Sequence, residues 1–561
     1  MIAQPASGKS SDLTPKRTLS RCLNILPALA LIVVFGWAAW ERFRLPLTPF
    51  ADPDVWAYLG PGLDALLGEQ FRDWFGQCFL YPWLLYVLLR VAGSFRWITL
   101  VQGLLGLGTG ALLFACWIEV RRFLRGPCLP AWAFKLLGAE LVAVYLFSSV
   151  TIRFERTLRP EAVFPFVVIL QIYCNLRFIR AAFLGTKLDR FLLSGGSAVF
   201  LSVAASLLKP GFLGAVLVAN LPVIIFLFRR GRPVSTKMLL VAMPVVAAAL
   251  LLIWPESNLR RRDPAASRYL VQSLFSIHAD LINKQMAEDV ARHVATSYPS
   301  EVLAVIHAAL TDALRQSRGG NAKYWPALGF NGDYLRFGDS DKPSFLRELT
   351  NRLGSEDQST EFCRYYYWRT VRGQPAGMAA KIARQFAVFY WPWRCPAYFT
   401  RASFTLAEQY RQTSACLLAE PKLQRYPPGA SLFASTAALR DSPLQIGPYK
   451  ASACINRFLS PTHLYWCLWA GVLTVLAWRK SGLSAFGPVA MVLVLLYGYN
   501  FGTVLTVAIG HSLDVDRYSQ YQFSYTLLPD FVSMWLALEA FLLVANQGGI
   551  TGYRWRHRSS R

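Results

Sequence analysis

The stretch Phe50-Ala-Asp-Pro-Asp-Val-Trp-Ala-Tyr58 places two carboxylates, Asp52 and Asp54, shortly after the first long apolar run of the chain, Leu23 to Trp40. An apolar run of about 18 residues that follows a basic segment predicts a membrane-spanning helix whose basic end is cytoplasmic. No clear A-x-A cleavage site follows and Glu41 comes directly after the run, so we expect an uncleaved first helix. The two carboxylates are therefore expected at the outer membrane surface.

The composition supports a membrane protein. The 561 residues are 54% hydrophobic and 16% charged, whereas a soluble domain carries about 25% charged residues. The formal net charge of +25 comes from Lys and Arg in short clusters between apolar runs. This is the distribution that the positive-inside rule predicts, and it argues against nucleic-acid binding.

The run Phe79 to Gly93 is interpreted as a helix lying in the outer interface. It has about 15 residues, whereas a span needs roughly 20, and counting it as a span would move the downstream arginine clusters outside. The sequence then predicts an all-α polytopic membrane protein with about ten transmembrane helices and both termini inside. The predicted spans lie at about 23–40, 97–118, 134–149, 162–178, 191–208, 211–228, 238–254, 462–478, 486–509 and 525–545.

Three regions follow from this pattern. Residues 1–254 form an N-terminal module of seven helices, 255–460 a large and mainly helical extracytoplasmic insertion, and 461–561 a C-terminal module of three helices. Apolar residues at three- and four-residue spacing predict amphipathic helices in the insertion at 268–293 and 300–316. Loops that contain Gly and Pro separate them from two further segments, 344–353 and 376–390. Its cysteines form two disulfides if the compartment is oxidising, or remain free buried thiols: Cys363, Cys395, Cys416 and Cys454.

Four outward turns from different hairpins hold most of the unusual charge, and they are expected to converge on one side of the membrane. Their candidate residues are Asp52 and Asp54; Arg153, Glu155, Arg156, Arg159 and Glu161; Lys209; and His511, Arg517 and Tyr518. Arg and Lys at a membrane surface are suited to a lipid-linked phosphate. A nearby carboxylate can act as general base toward an attacking hydroxyl, and a phosphate leaving group needs charge stabilisation rather than protonation.

Each of these residues also has a structural interpretation. Asp52 can cap a helix, the charges between Arg153 and Glu161 can pair with one another, and Lys209 can extend its ammonium to the interface. Arg517 can pair with Asp514 or Asp516, and His511 can be an ordinary loop histidine. Two further acids, Glu140 and Glu539, lie inside predicted spans, toward their inner ends, and are expected to make polar contacts within the helix bundle rather than to act in catalysis.

Four motifs resemble those of the GT-C superfamily of integral membrane glycosyltransferases that use polyprenyl-phosphate sugars, of the glycosyltransferase 39 or ArnT-like type. Asp54-Val-Trp-Ala-Tyr58, followed by Leu66-Leu67-Gly68, is similar to the acidic motif of the first outer loop. Leu80-Tyr-Pro-Trp-Leu-Leu-Tyr-Val-Leu-Leu89 looks like the juxtamembrane helix. Arg159-Pro-Glu161 resembles an Arg-Pro-acid motif, and Arg517-Tyr518 a basic-aromatic motif before a late helix.

The resemblance implies roles for these residues. Asp54 would be the general base, with Asp52 as a helper or second candidate, and Arg159, Lys209, Arg517 and Tyr518 would bind the donor phosphate. The secondary candidates are Arg153, Glu155, Glu161, Tyr58 and His511. The reaction expected is inverting transfer to an extracytoplasmic glycan, lipid or protein acceptor, at the surface of a multi-pass protein of the bacterial inner membrane. Val55 stands where an acid often follows the key Asp, so a divalent metal is not favoured, and no other cofactor is expected.

Three other functions remain open from the residues alone, one of which is a non-catalytic scaffold. A transferase that resembles O-antigen ligases would also use outward arginines, with a diphosphate-linked donor. A lipid or glycan transporter would instead place ionisable sites or broken helices near the midplane of the membrane.

Overall fold

The computed structural model describes residues 15–72, 78–185, 188–230, 233–294, 296–318, 328–338, 343–390, 394–418, 420–479, 481–510 and 515–547. Over these ranges the protein is an all-α polytopic membrane protein, as predicted. The described strands, β1 (Phe404–Thr405) and β2 (Gln445–Ile446), form a single antiparallel pair.

The N-terminal part is a succession of helices joined by short loops. They are α1 (Pro15–Phe43), α2 (Val55–Leu66), α3 (Leu80–Ala92), α4 (Arg96–Arg121), α5 (Ala131–Leu146), α6 (Ser149–Arg156), α7 (Phe164–Leu184), α8 (Leu188–Leu208), α9 (Leu213–Phe228), α10 (Val234–Ala248) and α11 (Trp254–Arg262). Single 3-10 turns at Pro160–Ala162 and Pro210–Phe212 precede α7 and α9, and a π-helical segment, Ala249–Ile253, joins α10 to α11.

The remaining helices form the insertion and the C-terminal part. They are α12 (Pro264–Ile277), α13 (Ala279–Ala291), α14 (Ser300–Arg318), α15 (Gly332–Phe337), α16 (Phe345–Leu353), α17 (Glu356–Gly373), α18 (Pro375–Ala387), α19 (Leu406–Leu418), α20 (Pro421–Arg425), α21 (Pro427–Ala438), α22 (Lys450–Arg479), α23 (Gly487–Gly510), α24 (Val515–Gln520) and α25 (Phe523–Gln547). A 3-10 segment, Ser481–Phe486, precedes α23.

Seven of the described helical segments are long and apolar enough to cross a membrane: Leu23–Phe43, Arg96–Arg121, Phe164–Leu184, Pro210–Phe228, Val234–Arg262, Leu483–Gly510 and Phe523–Ala545. The pair α5 and α6, bent by 53°, makes an eighth if it counts as one span. Two predicted spans, 191–208 and 462–478, are helical but fall outside this set, and the apolar part of α8, Leu192–Leu208, is short. The count of ten therefore stays a prediction.

Helix α3 is too short to be a span. Its 13 residues extend about 20 Å, whereas the hydrocarbon core is about 30 Å thick. Tyr81, Leu85 and Leu89 of α3 are buried. Gly93 ends the helix in the left-handed conformation, with φ of +62°, which a glycine adopts without steric cost.

The insertion has two apolar cores. Helices α12 to α18 enclose the first, which also contacts Val504 and Val507 of α23. The second joins α19 and the β-strands to Leu45 and Phe50 and to α6, so this part of the insertion packs on the first two outward loops. Helices α11 and α22 run across the predicted boundaries at 254 and 460, and the division into three domains stays a prediction. Cys363, Cys395, Cys416 and Cys454 are free thiols.

A buried ion pair fixes α6 against α1. Arg42 donates from Nε and Nη2 to the two oxygens of Glu155 at 2.7 and 2.8 Å, and from Nη1 to the carbonyls of Ala38 and Leu146. Arg156 donates to the carbonyls of Arg42 and Pro46. Buried charges persist when they are paired and hydrogen-bonded in this way, so these residues stabilise the fold next to the outward loops.

Gly106 on α4 provides the space that the Glu155 carboxylate occupies, because a Cβ atom there would lie 1.9 Å from Glu155 Oε1. We therefore expect Gly106→Ala to destabilise the protein by about 1–3 kcal/mol through overpacking, measured by thermal unfolding in detergent. Gly103→Ala on the same helix is the matched control, since a Cβ there has no heavy atom within 4 Å. Equal stability of the two variants would contradict this packing.

Candidate functional site

A short backbone pairing sets the register between the first two outward loops. Phe50 and Thr157 form an isolated parallel bridge, in which Phe50 N donates to Arg156 O at 2.6 Å and Leu158 N donates to Phe50 O at 2.9 Å. The two segments run in the same direction, so the residues two positions further on, Asp52 and Arg159, lie side by side.

Arg159 faces three carboxylates. Its Nε forms an ion pair with Asp52, its Nη2 lies 2.9 Å from Asp54 Oδ2, and its Nη1 lies 3.9 Å from Glu161 Oε1. Asp52 in turn accepts a hydrogen bond from the backbone N–H of Asp54 at 3.0 Å, which fixes the turn before α2. The guanidinium therefore joins both loops.

Two further cations reach this cluster from distant parts of the chain. Lys209, between α8 and α9, places Nζ 2.6 Å from Glu161 Oε1. Arg517, on α24, forms an ion pair with Asp54 Oδ2. The structure thus brings together Asp52, Asp54 and Glu161 with Arg159, Lys209 and Arg517, which we call the charge cluster. Their roles in a reaction stay predictions.

The charge cluster has a buried end and an open edge. The Glu161 side chain is 1% exposed, and those of Asp52, Lys209 and Arg159 are 10–12% exposed. Asp54 and Arg517 are 31% and 35% exposed. These two residues form the open edge, where an incoming group has access to a carboxylate and a guanidinium together.

The two buried carboxylates have opposite pKa shifts. Burial alone would raise the pKa of Glu161, but Lys209 and Arg159 outweigh it and lower this pKa to about 2. Burial raises the pKa of Asp52, and the adjacent Arg159 only partly offsets that effect. Glu161 is therefore a permanent anion that holds two cations, whereas Asp52 is the more basic carboxylate.

Two buried aromatic side chains, Tyr58 and Tyr81, lie next to the charge cluster. Tyr58, a secondary candidate, is buried, and its ring packs edge-on against Tyr81 at 5.8 Å between centroids. Gln102 donates a hydrogen bond to the Tyr81 hydroxyl at 2.7 Å. Burial raises the pKa of Tyr58 well above its usual value, so its phenol is neutral and adds no charge to the cluster.

Behind Glu161 lies a small polar cavity of about 20 Å³, lined by Glu161, Tyr521 and Ser524 among others. Glu161 Oε2, the Tyr521 hydroxyl and the Ser524 hydroxyl are buried and have no hydrogen-bond partner among the described residues. A polar cavity of this size accommodates one water molecule. Such a molecule would connect α25 and the segment before it to the buried end of the cluster.

Several predicted residues take no part in the ion pairs that the structure describes within the charge cluster. Glu155 pairs with Arg42, and Arg153 donates to Gln409 Oε1 at 2.9 Å while its guanidinium lies over the Phe404 ring. Tyr518 is half-buried and packs against the two larger apolar cores. His511 lies outside the described residues. Glu161, only a secondary candidate from the sequence, is the most buried acid of the cluster.

Helix α19 of the insertion also borders the cluster, which the sequence analysis missed. Ala51 N donates to Thr413 Oγ1 at 3.0 Å, and Lys422 forms an ion pair with Asp64 of α2. Burial raises the pKa of the Cys416 thiol, and the charges of Asp52 and Asp54 add to this effect. Cys416 follows Thr413 by three residues on α19, so it lies on the same face of the helix as the residue that contacts the first outward loop. An amphipathic pattern in 406–418, with Leu406, Tyr410 and Leu417 buried, was the available signal.

No metal ligand set is evident in the described ranges, since no group of three or more His, Cys, Asp and Glu side chains has a suitable arrangement. In the charge cluster each carboxylate instead faces a basic group.

Comparison with known proteins adds little to the structure itself. No protein-family model matches the chain, and no curated protein matches it. Among solved structures, the chain is similar to ArnT from Cupriavidus metallidurans bound to undecaprenyl phosphate, with a TM-score of 0.30 and 12% identity, over 88% of this chain and 77% of that one. A likeness at this level carries no argument about function, which has to come from the site.

The low pKa of Glu161 predicts a pH dependence of stability. A carboxylate whose pKa falls from 4.5 to about 2 on folding stabilises the protein above pH 4.5, and this contribution disappears as the pH falls toward 2. The shift corresponds to about 3 kcal/mol. We expect Glu161→Gln to lose less stability than wild type between pH 4.5 and pH 2, measured by denaturation at each pH. Parallel curves for the two proteins would contradict the assignment.

Proposed function

We propose that the protein is a membrane glycosyltransferase of the GT-C type, which transfers a sugar from a polyprenyl-phosphate donor to the hydroxyl of an extracytoplasmic acceptor. The observation that carries the proposal is the open edge, where the accessible Asp54 lies between Arg159 and Arg517. A carboxylate that can accept a proton and guanidiniums that can bind a phosphate are the two groups that this transfer requires.

The donor phosphate is assigned to Arg159, Lys209 and Arg517. Guanidiniums bind phosphate oxygens through paired hydrogen bonds, and an ammonium contributes a compact charge. Glu161 holds Lys209 at 2.6 Å and lies 3.9 Å from Arg159, so two of the three cations are fixed from behind. Arg517 is the exposed cation and the first that an incoming phosphate meets.

Asp54 and the phosphate compete for the same guanidiniums. When the donor phosphate binds Arg517 and Arg159, it replaces Asp54 as their partner and releases the carboxylate to act as base. The acceptor oxygen then forms a bond to the anomeric carbon as the bond from that carbon to the phosphate oxygen breaks. The hydroxyl proton passes to Asp54, and the polyprenyl phosphate leaves with inversion at carbon.

Asp52 is the alternative base. Its raised pKa favours proton uptake, but its side chain is 10% exposed and paired with Arg159. Accessibility therefore favours Asp54 as the base, with Asp52 holding Arg159 and the turn.

The lipid donor agrees with the position of the charge cluster. Lys209 directly follows α8, Glu161 directly precedes α7, and Arg517 lies between α23 and α25, so the cluster is at the ends of membrane helices. We assign this end to the extracytoplasmic face of a bacterial inner membrane, because the arginine clusters between apolar runs fall on the opposite side.

The Asp54→Asn variant tests the proposal. We expect transfer of labelled sugar from polyprenyl-phosphate donors to fall by about 10²–10⁴-fold, the contribution typical of a general base. Binding of polyprenyl phosphate itself should become equal or tighter, because the competing carboxylate charge is gone. In the Arg517→Met variant, by contrast, binding of polyprenyl phosphate should be weaker than in wild type. Transfer and binding are measured on the purified protein in lipid nanodiscs.

The matched control is Asp516→Asn, which removes an exposed acid next to Arg517 that takes no part in the ion pairs of the cluster. It should retain transfer. Full turnover in Asp54→Asn would assign the role of general base to Asp52 instead. Turnover only with diphosphate-linked donors would favour a ligase, and movement of lipid without transfer would favour a transporter.

We assign the acceptor side to α19. The helix lies against the loop that carries the two acids, because Ala51 of that loop donates a hydrogen bond to Thr413. Cys416 is half-buried on the face of α19 that carries Thr413, so a group attached to its thiol would enter the space between α19 and the first outward loop.

Modification of Cys416 with a bulky thiol reagent is therefore expected to reduce transfer at least about tenfold while donor binding remains, because one misplaced contact near a reacting group is costly. Cys416→Ala should be resistant. In that background Ala438→Cys, on the exposed part of α21, gives a reactive thiol away from the acids, and its modification should leave transfer unchanged. Loss of donor binding on Cys416 modification would show that α19 borders the donor instead.

A further inference from the structure

Glu140 on α5 is an acid inside the membrane region without a partner. Its side chain is exposed, and it forms no hydrogen bond or ion pair with any described residue. The expectation that it makes contacts within the helix bundle is wrong. Glu539 on α25 does behave as expected, because it accepts from Cys128 N at 2.6 Å and from Trp535 Nε1 at 2.9 Å.

Glu140 lies well inside the predicted span at 134–149. It lies six residues before the end of α5 at Leu146, which is about 9 Å along the helix axis. It lines the same groove as Trp535 and Leu538, which lie at the middle of α25 (Phe523–Gln547). The carboxylate therefore lies near the middle of the predicted span at 134–149 and level with the middle of α25, whereas the α22 wall of the groove, such as Phe458, precedes the predicted span at 462–478.

The groove around Glu140 is apolar and open along one side. It has a volume of about 360 Å³ and lies between α5, α22 and α25, with walls that include Leu137, Phe458, Phe531 and Met534. Phe458 is 55% exposed and Leu538 is 38% exposed. Glu140 is the one charged side chain that lines this groove within the described residues.

An isolated carboxylate at this depth is unfavourable, and such residues mark interaction sites. Lipid chains supply no hydrogen-bond donor. Lys135 on α5 and Arg457 on α22 are exposed and form no ion pair with Glu140. The occupant that complements this surface carries a cation, together with apolar side chains for the walls. A polypeptide at this depth must satisfy its own backbone groups, so it is a helix.

We propose that this groove is a docking site for the membrane-spanning helix of a partner protein that carries a Lys or Arg at mid-depth, paired with Glu140. The site is separate from the charge cluster and does not depend on the proposed transferase activity. It gives the protein a lateral interaction surface within the membrane.

The test uses synthetic transmembrane helices of leucine with one central residue, Lys or Leu, and the full-length protein in lipid vesicles. Energy transfer between a label at the protein N-terminus and one on the peptide reports association. We expect wild type to associate with the Lys peptide at least about tenfold more tightly than with the Leu peptide. Glu140→Gln should remove this preference while its thermal unfolding matches wild type.

A second variant tests whether an acid must lie in the groove, or whether any lipid-facing acid gives the same preference. In the Glu140→Gln background, Leu221→Glu places an acid on the lipid-facing side of α9, where the native residue is 45% exposed. It should not restore preference for the Lys peptide. Full restoration, equal binding of the two peptides, or no association of either would overturn the proposal. If the wild-type protein associates with itself and Glu140→Gln abolishes this self-association, the groove binds a second copy of the chain. That result would also overturn the proposal.

Discussion

The charge cluster depends on the guanidinium of Arg159. This group is 12% exposed and lies against Asp52, Asp54 and Glu161. Three carboxylates so close together would repel one another and would be costly to bury without a cation between them. The two outward loops can therefore adopt these conformations only if Arg159 lies between the three carboxylates. The backbone bridge between Phe50 and Thr157 holds Arg159 in that position.

The neighbouring charges of the second loop serve the fold. Helix α6 ends at Arg156, and Thr157 is extended, with ψ of 140°. Glu155 and Arg156 are directed to α1 and the loop after it, whereas Arg159 lies beyond the change in backbone direction and reaches the acids. Residues only a few positions apart thus have different partners. A high density of charged residues in the sequence identifies such a segment. It does not show which of the charged residues stabilise the fold and which belong to the candidate site.

The sequence predicted the all-α class, the short α3 and the residues that meet in the charge cluster. The length of each apolar run shows whether it can span the membrane, and the distribution of Lys and Arg shows on which side of the membrane each turn lies. It did not predict that Glu155 pairs with Arg42, a contact across 113 positions that needs Gly106 to leave space. It also missed α17, although Ser355, which accepts from Gln358 N, and the acids Glu356 and Asp357 form a helix start signal. The packing of α19 on the first loop is a tertiary contact that local periodicity does not encode.

The exposure gradient across the charge cluster explains how it can be both stable and reactive. At the buried end, Glu161 and Lys209 are shielded from water and salt, so their ion pair persists and fixes the geometry. At the open edge, Asp54 and Arg517 are solvated, so their pair is weaker and can be exchanged for a pairing with another anion. A cluster buried throughout would bind no substrate, and one exposed throughout would not hold its cations in place. Because Asp54 contacts both Arg159 and Arg517, an anion that displaces it meets one cation that is held in place and one that can adjust.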